Sequence, residues 1–140
     1  MSANEFMVKV LSPNRPVANV KGQGVMLPGA LGYMEILPDH AAMVSAMEVG
    51  ELRIRKSDGG SLTYFVSGGF VEVADNHVTV LADTIEAPTE IDRDRAQKAA
   101  ARAEQRLVEK DPQVNLGRAL ESLRRASGRL GYLEKVAKNI

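Results

Sequence analysis

The side chains best placed to do chemistry are four arginines in the last third of the chain. Arg95 and Arg102 are seven residues apart, about two turns of one helix, and Arg125 and Arg129 are four residues apart, about one turn of a second. Guanidinium groups match phosphate oxygens with paired hydrogen bonds. Folding of this helical segment onto the rest of the protein would bring the four side chains together as an anion site. Arginines on a helix rich in alanine and glutamate are otherwise usually solvated.

Motifs for other chemistry are missing or incomplete. The two histidines, His40 and His77, have no cysteine and no His-x-x-x-His spacing beside them, so we expect no metal site. Gly22-Gln23-Gly24 resembles the start of a dinucleotide loop, but Leu27 occupies the position of the third glycine. The sequence has no phosphate-binding loop of the Gly-x-x-x-x-Gly-Lys type and no Gly-x-Ser-x-Gly elbow. We therefore expect a protein that is not an enzyme by itself.

The sequence changes from a strand-like pattern to a helical pattern near Pro88, and these two parts determine where the candidate residues lie. Before it, apolar and polar residues alternate in valine-rich runs, separated by turn sequences such as Ser57–Gly60 and Ala74–Asn76. Alternation indicates strands with one face on a core and the other in water. Residues 1–87 are therefore predicted to form an antiparallel β-sandwich, or a flattened barrel, which the short and regular spacing of the strands also favours. The predicted strands are Phe6–Leu11, Leu52–Arg55, Leu62–Ser67, Phe70–Val73 and Val78–Ala82.

Residues 88–140 are predicted to form a hairpin of two helices. Thr89 is placed to cap the first helix, and Asp111 to cap the second, with Pro112 at its first position. Small apolar residues recur at helical spacing and predict a narrow seam: Ala96, Ala99, Ala100, Ala103 and Leu107, then Ala119, Leu123, Ala126, Leu130, Leu133 and Ala137. Because alanine buries little apolar area, we expect this hairpin to open at modest cost.

The composition limits the kinds of partner. Lysine and arginine total 18, as do aspartate and glutamate, so no net field draws the chain to nucleic acid or to an anionic membrane. Cysteine is absent, which fits a reducing compartment. No run approaches the roughly 20 apolar residues of a membrane helix, and the first residues lack a signal-peptide pattern. We expect a soluble protein that reaches a membrane only through a partner.

Three runs of the sequence resemble the epsilon subunit of F-type ATP synthases of the bacterial type in their order and spacing. They are Gly32–His40, Gly50–Ile54 and Gly68–Val73. That family also has a β-domain followed by a helical hairpin. The resemblance implies a non-catalytic rotor subunit of the central stalk, at the cytoplasmic face of the bacterial inner membrane. Its sandwich would bind the gamma subunit and the c-subunit ring. Its hairpin would pack on the sandwich or extend along gamma into the alpha/beta catalytic head, coupling proton flow to ATP synthesis and restraining ATP hydrolysis.

The start of the hairpin resembles that family's ATP-binding signature, Ile/Leu-Asp-x-x-Arg-Ala. The resemblance implies that ATP is a regulatory ligand, not a required cofactor, and that protein side chains need not hold its magnesium. Two other interpretations stay open: Asp92 caps a helix, and the arginines dock on the acidic surface of the catalytic beta subunits. The positions that match the signature or align with its partners are Glu86, Ile91, Asp92, Arg95, Ala96, Arg102, Arg125 and Arg129.

The chain departs from the family pattern at Tyr33 and Glu35. Many members have Gly-Glu-Leu-Gly here, whereas Tyr33 replaces the acid and Glu35 the second glycine. This loop faces the c ring in the family, so either Glu35 restores the acidic contact or Tyr33 supplies an apolar one. His40 matches a ring-proximal histidine, or it shapes the turn after Pro38. Without the resemblance, the same features fit a free-standing adaptor whose sandwich and hairpin bind different proteins.

Overall fold

The computed structural model describes residues 4–109 and 111–138, and the chain divides into two compact units between Ala87 and Pro88. The first unit is all β, and the second contains a short 3-10 turn, Pro88–Glu90, followed by helices α1 (Arg93–Val108) and α2 (Leu116–Lys138). The predicted β-sandwich and two-helix hairpin are therefore confirmed. The described strands are β1 (Phe6–Leu11), β2 (Pro16–Gly29), β3 (Gly32–Ile36), β4 (Met43–Lys56), β5 (Ser61–Ala74), β6 (His77–Ala82) and β7 (Ile85–Glu86).

The strands form a sheet that closes on itself. Its order is β1-β6-β5-β4-β2-β3, β7 pairs with β5, and β1 pairs with β2 as well as with β6. The β1–β6 pair is parallel, with Met7 opposite His77 and Leu11 opposite Leu81, while the other pairs are antiparallel. The β1–β6 pair departs from the predicted antiparallel arrangement, because alternation specifies which face a residue occupies and not strand direction.

The core is built from the apolar face of each strand. Leu52 and Ile54 are fully buried, whereas Arg55 in the same strand is exposed, as the alternation predicts. Burying such an aliphatic side chain contributes about 1.5–3 kcal/mol. The other side chains with no exposed surface in this core are Phe6, Val8, Val10, Val25, Leu27, Ile36, Val66, Val71, Val78 and Val80.

Strand β5 joins two runs that were predicted as separate strands. The junction is Gly68-Gly69, whose φ angles of +111° and +125° lie in the region that favours glycine. A Cβ on Gly69 would collide with the Leu81 carbonyl oxygen and lie 2.9 Å from the Ala82 Cα. The backbone continues through this point because the Asp83 N–H donates to the Gly68 oxygen at 3.0 Å. The glycines therefore bend one long strand and do not end it.

The turn between β4 and β5 forms where the sequence predicts it. The Lys56 N–H donates to the Gly60 oxygen at 2.8 Å, and the Gly60 N–H donates to Asp58 Oδ1, also at 2.8 Å. Gly59 supplies the positive φ, +94°. The Gly60 N–H, and after it the Lys56 ammonium, lower the pKa of the exposed Asp58 carboxyl.

Both predicted helix caps are displaced along the chain. Asp92, not Thr89, caps α1: its Oδ1 accepts from the Arg95 N–H at 3.0 Å, because Thr89 is part of the preceding 3-10 turn. The second helix does not begin at Asp111. Asp111 Oδ1 instead accepts from the Gln113 N–H at 2.9 Å and closes a turn. Asn115 caps α2 by accepting from the Arg118 N–H at 3.0 Å.

The alanine seam of the hairpin is present on both helices. Ala96 and Ala103 are buried on α1, and Ala119 and Ala126 are buried on α2. The prediction is wrong at the end of α2, where Ala137 is exposed and the buried residue is Tyr132, with 5% of its surface exposed. Because α2 has 23 residues and α1 has 16, the two helices cannot pair along the whole length of α2.

Candidate functional site

The two arginines of α1 border the alanine seam. Arg95 and Arg102 are exposed, and each immediately precedes a buried alanine, Ala96 and Ala103. Because neighbouring residues are about 100° apart around a helix, both guanidinium groups emerge on the same side of the seam. The structure therefore keeps the two cations on one side of α1, as their spacing predicts.

The two arginines of α2 are less exposed. Arg125 and Arg129 are half-buried, and Arg125 precedes the buried Ala126. Arg125 Nη2 also donates to Ser122 Oγ at 3.3 Å, within the same helix. This contact holds the guanidinium group along the helix surface. Each helix thus carries a pair of cations beside the seam, and their binding of ATP stays a prediction.

The residues of the nucleotide signature have local structural roles. Ile91 is 9% exposed and Ala96 is 4% exposed, so both serve packing. Asp92 caps α1, which confirms the capping interpretation. Glu86 belongs to the sandwich unit, where it lies opposite Phe65 in the β7–β5 pair. The remaining candidates of the signature lie in the hairpin unit.

Tyr33 turns its hydroxyl group back onto β4. The hydroxyl oxygen accepts a hydrogen bond from the Glu51 N–H at 2.9 Å, while the residue keeps 55% of its surface exposed. Glycine is required beneath it, because a Cβ on Gly50 would collide with this hydroxyl and lie 3.0 Å from the Pro28 Cβ. The ring therefore presents carbon to the outside, while its polar atom is used internally.

The residue that holds Tyr33 is itself a buried acid. Glu51 is 2% exposed, and its Oε2 accepts from Thr63 Oγ1 at 2.6 Å and from Arg53 Nη2 at 3.1 Å. A buried carboxylate needs such partners, since its charge is costly to remove from water. This cluster is not evident from the sequence. A lone acid in an alternating strand gives the same signal as a solvated one.

Glu35 is paired rather than free. Its Oε1 lies 3.4 Å from Arg55 Nη2, and both side chains are about half exposed. Gly24 lies beneath the pair, since a Cβ there would lie 2.7 Å from the guanidinium nitrogen. Ion pairs with this exposure contribute little stability, but they reduce the field that the acid presents. Of the two options for this departure, the geometry favours an apolar contact through Tyr33.

His40 ends a tight turn in the connection from β3 to β4. The His40 N–H donates to the Leu37 oxygen at 3.2 Å, and the ring Nδ1 lies 2.7 Å from the Ala41 oxygen. Pro38 takes the second position of the turn and Asp39, with φ +65°, the third, which is the type II pattern. His40 is exposed and follows β3, whereas Tyr33 lies near the start of that strand. The turn-shaping interpretation of His40 is consistent with this geometry.

A shallow groove on the sandwich unit was not anticipated from the sequence. It encloses about 530 Å³ and is lined by the β1–β2 turn together with Leu11, Phe70 and Leu81. Phe70 and Leu81 face each other in the β5–β6 pair and are 56% and 46% exposed. Two large apolar side chains side by side on an outer face indicate a contact with another protein. Phe70 lies on the outer face of β5 with the exposed Glu72, so an apolar residue at a polar position of the alternation is the sequence signal that could have identified it.

The described residues hold neither a metal site nor a membrane-spanning helix. Within residues 4–109 and 111–138, no group of three acidic, histidine or cysteine side chains is placed to hold a metal ion. In the same residues, neither helix is both long and apolar enough to cross a membrane.

The fold and these surfaces define a class of small proteins with two units, a β-sandwich with an apolar groove and a helical hairpin edged with cations. Residues 5–88 match the family profile described as ATP synthase, Delta/Epsilon chain, beta-sandwich domain. Residues 89–134 match the profile described as ATP synthase, Delta/Epsilon chain, long alpha-helix domain. The chain therefore belongs to the ATP synthase epsilon-chain family.

Individual relatives agree over nearly the whole chain. An ATP synthase epsilon chain from Syntrophomonas wolfei is 39% identical and covers 96% of this chain and 98% of that protein. One from Desulfitobacterium hafniense is 41% identical over 91% of this chain and 96% of that protein. A chain in the cryo-EM structure of the Euglena gracilis mitochondrial ATP synthase (OSCP/F1/c-ring) has the same fold. It is 20% identical, with a TM-score of 0.83 over 93% of this chain and 82% of that one.

Proposed function

We propose that this protein is a non-catalytic rotor subunit of a proton-translocating ATP synthase, at the cytoplasmic face of a bacterial inner membrane. In this role it links the gamma subunit to the c-subunit ring and restrains ATP hydrolysis through its two C-terminal helices. The observation that carries the proposal is that both family profiles match in order, one on each compact unit. A protein with two independent units can bind the rotor with one and act on the catalytic head with the other.

The sandwich unit offers the surfaces for the rotor. The groove beside Phe70 and Leu81 is apolar and exposed, which suits a helical partner such as gamma. Tyr33 provides a second exposed apolar surface, with its hydroxyl group already satisfied by Glu51. We assign the groove to the gamma subunit. We assign Tyr33, together with Glu35 and His40, which are nearby in sequence, to the c-subunit ring.

The hairpin unit offers the regulatory surface. Its arginines suit the phosphates of ATP or the acidic surface of the catalytic subunits, and we propose that both ligands compete for them. Bound ATP then withdraws the hairpin from inhibition, to an extent set by its differential affinity for the two states. The described helices offer no exposed aromatic residue, since Tyr132 is buried, so contact with the head depends mainly on charge and weakens with salt.

The experiment for the rotor role uses the ATPase assembly of the same organism after this subunit has been removed. Added protein should bind in one-to-one ratio with gamma and lower the rate of ATP hydrolysis. A free-standing adaptor would do neither. Hydrolysis of ATP by the pure protein would contradict the non-catalytic assignment.

ATP binding is tested separately by calorimetric titration of the pure protein, with and without magnesium. We expect saturable binding that Arg125→Ala abolishes. Arg124→Ala is the matched control, because Arg124 is a neighbouring, exposed arginine that pairs with Glu121 at 3.1 Å. If binding is absent, or if both variants bind as the wild type does, Arg125 is not a nucleotide ligand. The rotor assignment would be unaffected.

A further inference from the structure

The turn that carries Leu37 and His40 depends on an amino acid in an unfavourable backbone conformation. Asp39 has φ +65°, where residues with a Cβ are strained. Its N–H donates to Asn76 Oδ1 at 2.8 Å, a contact across 37 residues of sequence. An external acceptor thus fixes the strained residue. Leu37, at the start of the turn, is 48% exposed, and His40, at its end, is exposed.

Asn76 lies in the hairpin turn between β5 and β6. With φ angles of +51° and +59°, Asp75 and Asn76 have the positive φ values that a type I′ turn requires. The other end of the Asn76 amide, Nδ2, donates to the Glu5 oxygen at 2.9 Å, across 71 residues. The backbone oxygen of Asn76 also accepts from the Met7 N–H at 3.4 Å.

Both ends of one side-chain amide therefore connect three segments of the sandwich unit: the start of β1, the Leu37–His40 turn and the β5–β6 turn. The amide suits this arrangement because it carries an acceptor oxygen and a separate donor nitrogen on one short planar group, whereas a hydroxyl group must serve both partners from one oxygen. Glutamine is disfavoured here, since asparagine tolerates positive φ better. The requirement is specific to the amide.

We propose that Asn76 is a positioning residue, which holds the Leu37–His40 turn in the conformation that contacts the rotor ring. The turn presents one apolar side chain and one imidazole from a fixed backbone, and a fixed surface loses less conformational freedom on binding than a mobile one. The inference rests on the proposed function for the identity of the partner. The clip formed by Asn76, Asp39 and Glu5 stands on the geometry alone.

Three substitutions separate the clip from the turn that carries it. Asn76→Gly keeps the positive φ but removes both side-chain hydrogen bonds. Asn76→Asp keeps an acceptor for the Asp39 N–H, but it replaces the donor to the Glu5 oxygen with a negatively charged acceptor. Asp75→Gly is the matched control, because it changes the same turn and leaves the Asn76 amide in place.

Amide hydrogen exchange in the full chain measures the clip directly. We expect exchange at the Asp39 N–H to accelerate at least tenfold in Asn76→Gly, and to stay near the wild-type rate in Asn76→Asp and Asp75→Gly. Equal exchange in Asn76→Gly and Asp75→Gly would overturn the clip.

Coupling in the assembled enzyme measures the positioning. Each variant is added to membrane vesicles that carry the enzyme without this subunit, and proton pumping is measured per ATP hydrolysed. We expect Asn76→Gly to bind but to restore less than half of the wild-type ratio, and Asn76→Asp to restore most of it. Full coupling by Asn76→Gly, with Asp39 exchange accelerated, would overturn the positioning role. If wild-type protein restores no coupling, the proposed function fails, and the exchange result still decides the clip.

Discussion

Replacing Asp92 tests whether this residue is a helix cap, a nucleotide ligand or both. Asp92 Oδ1 accepts from the Arg95 N–H at 3.0 Å, so Asp92→Ala leaves that N–H without its partner. The loss of an N-cap costs about 1 kcal/mol, and the loss of a negative charge at a helix N-terminus costs about 0.5 kcal/mol. Serine keeps a capping oxygen and removes only the charge. We therefore expect about 1.5 kcal/mol for alanine and about 0.5 kcal/mol for serine.

The assay is native-state hydrogen exchange at the first amides of α1, Arg95 and Ala96. A free-energy difference of about 1.4 kcal/mol is tenfold in an opening equilibrium, so Asp92→Ala should accelerate this exchange about tenfold and Asp92→Ser about twofold. Equal rates in the two variants would refute the capping argument. ATP titration of the same proteins decides the second role: a ligand role predicts that serine weakens binding as much as alanine does, whereas a pure cap predicts that serine preserves it.

Three further predictions concern the sandwich and the second helix. Gly69→Ala should lower the free energy of unfolding by about 2 kcal/mol or more, because Gly69 has a positive φ and an added Cβ would overlap the main chain. Gly131→Ala should raise the free energy of unfolding by about 1 kcal/mol, because Gly131 lies within a helix and has open space around it. Equal effects of the two substitutions in denaturant unfolding would contradict this geometry. Gly50→Ala should displace Tyr33 and accelerate hydrogen exchange at the Glu51 N–H, which donates to the Tyr33 hydroxyl group. Tyr33→Phe should accelerate the same exchange, and an unchanged rate in both variants excludes that contact. Because the folded-state pKa of Asp58 is lowered, its stabilising contribution is present above the ordinary pKa of 3.8 and is lost as pH falls through the folded-state pKa. Asp58→Asn should therefore make the free energy of unfolding less dependent on pH in this acidic range. Identical acid-unfolding curves for the wild type and the variant would contradict this prediction.

The strands that alternate cleanly were predictable, and those rich in glycine and proline were not. β1 and β6 agree with their predicted bounds to within one residue. β2 runs from Pro16 to Gly29 with register shifts at Gly22/Gly24 and Met26/Gly29, so its pattern of faces changes within the strand. Local alternation cannot reveal such a strand, because its partners, and not its own sequence, keep it extended.

The helices show the same limit at their ends. The periodicity of alanine located both helices and their seam, but the caps depend on which side chain reaches a free N–H. Asp111 has the right chemistry for a cap, yet it closes a turn, and Asn115 takes that role. Sequence spacing gives several eligible residues within one turn, and only geometry selects among them.

The candidate site was predictable in its residue types and not in its contacts. The cationic edges of the hairpin follow from spacing. The hydrogen bond between Tyr33 and Glu51, and the groove that joins Phe70 to the β1–β2 turn, bring together residues that are distant in sequence. Long-range pairing determines these features, so a single sequence without its fold does not reveal them.

Strands β4 and β5 have a mechanical consequence for the proposed rotor role. They pair from Met43 opposite Val73 to Arg55 opposite Ser61, along nearly all of their length. Hydrogen bonds of an antiparallel pair lie perpendicular to the strands, so a pull along the strands shears many of them at once instead of breaking them one by one. A torque applied through the sandwich therefore meets a stiff body. Both strands lie wholly within the sandwich unit, which ends at Ala87.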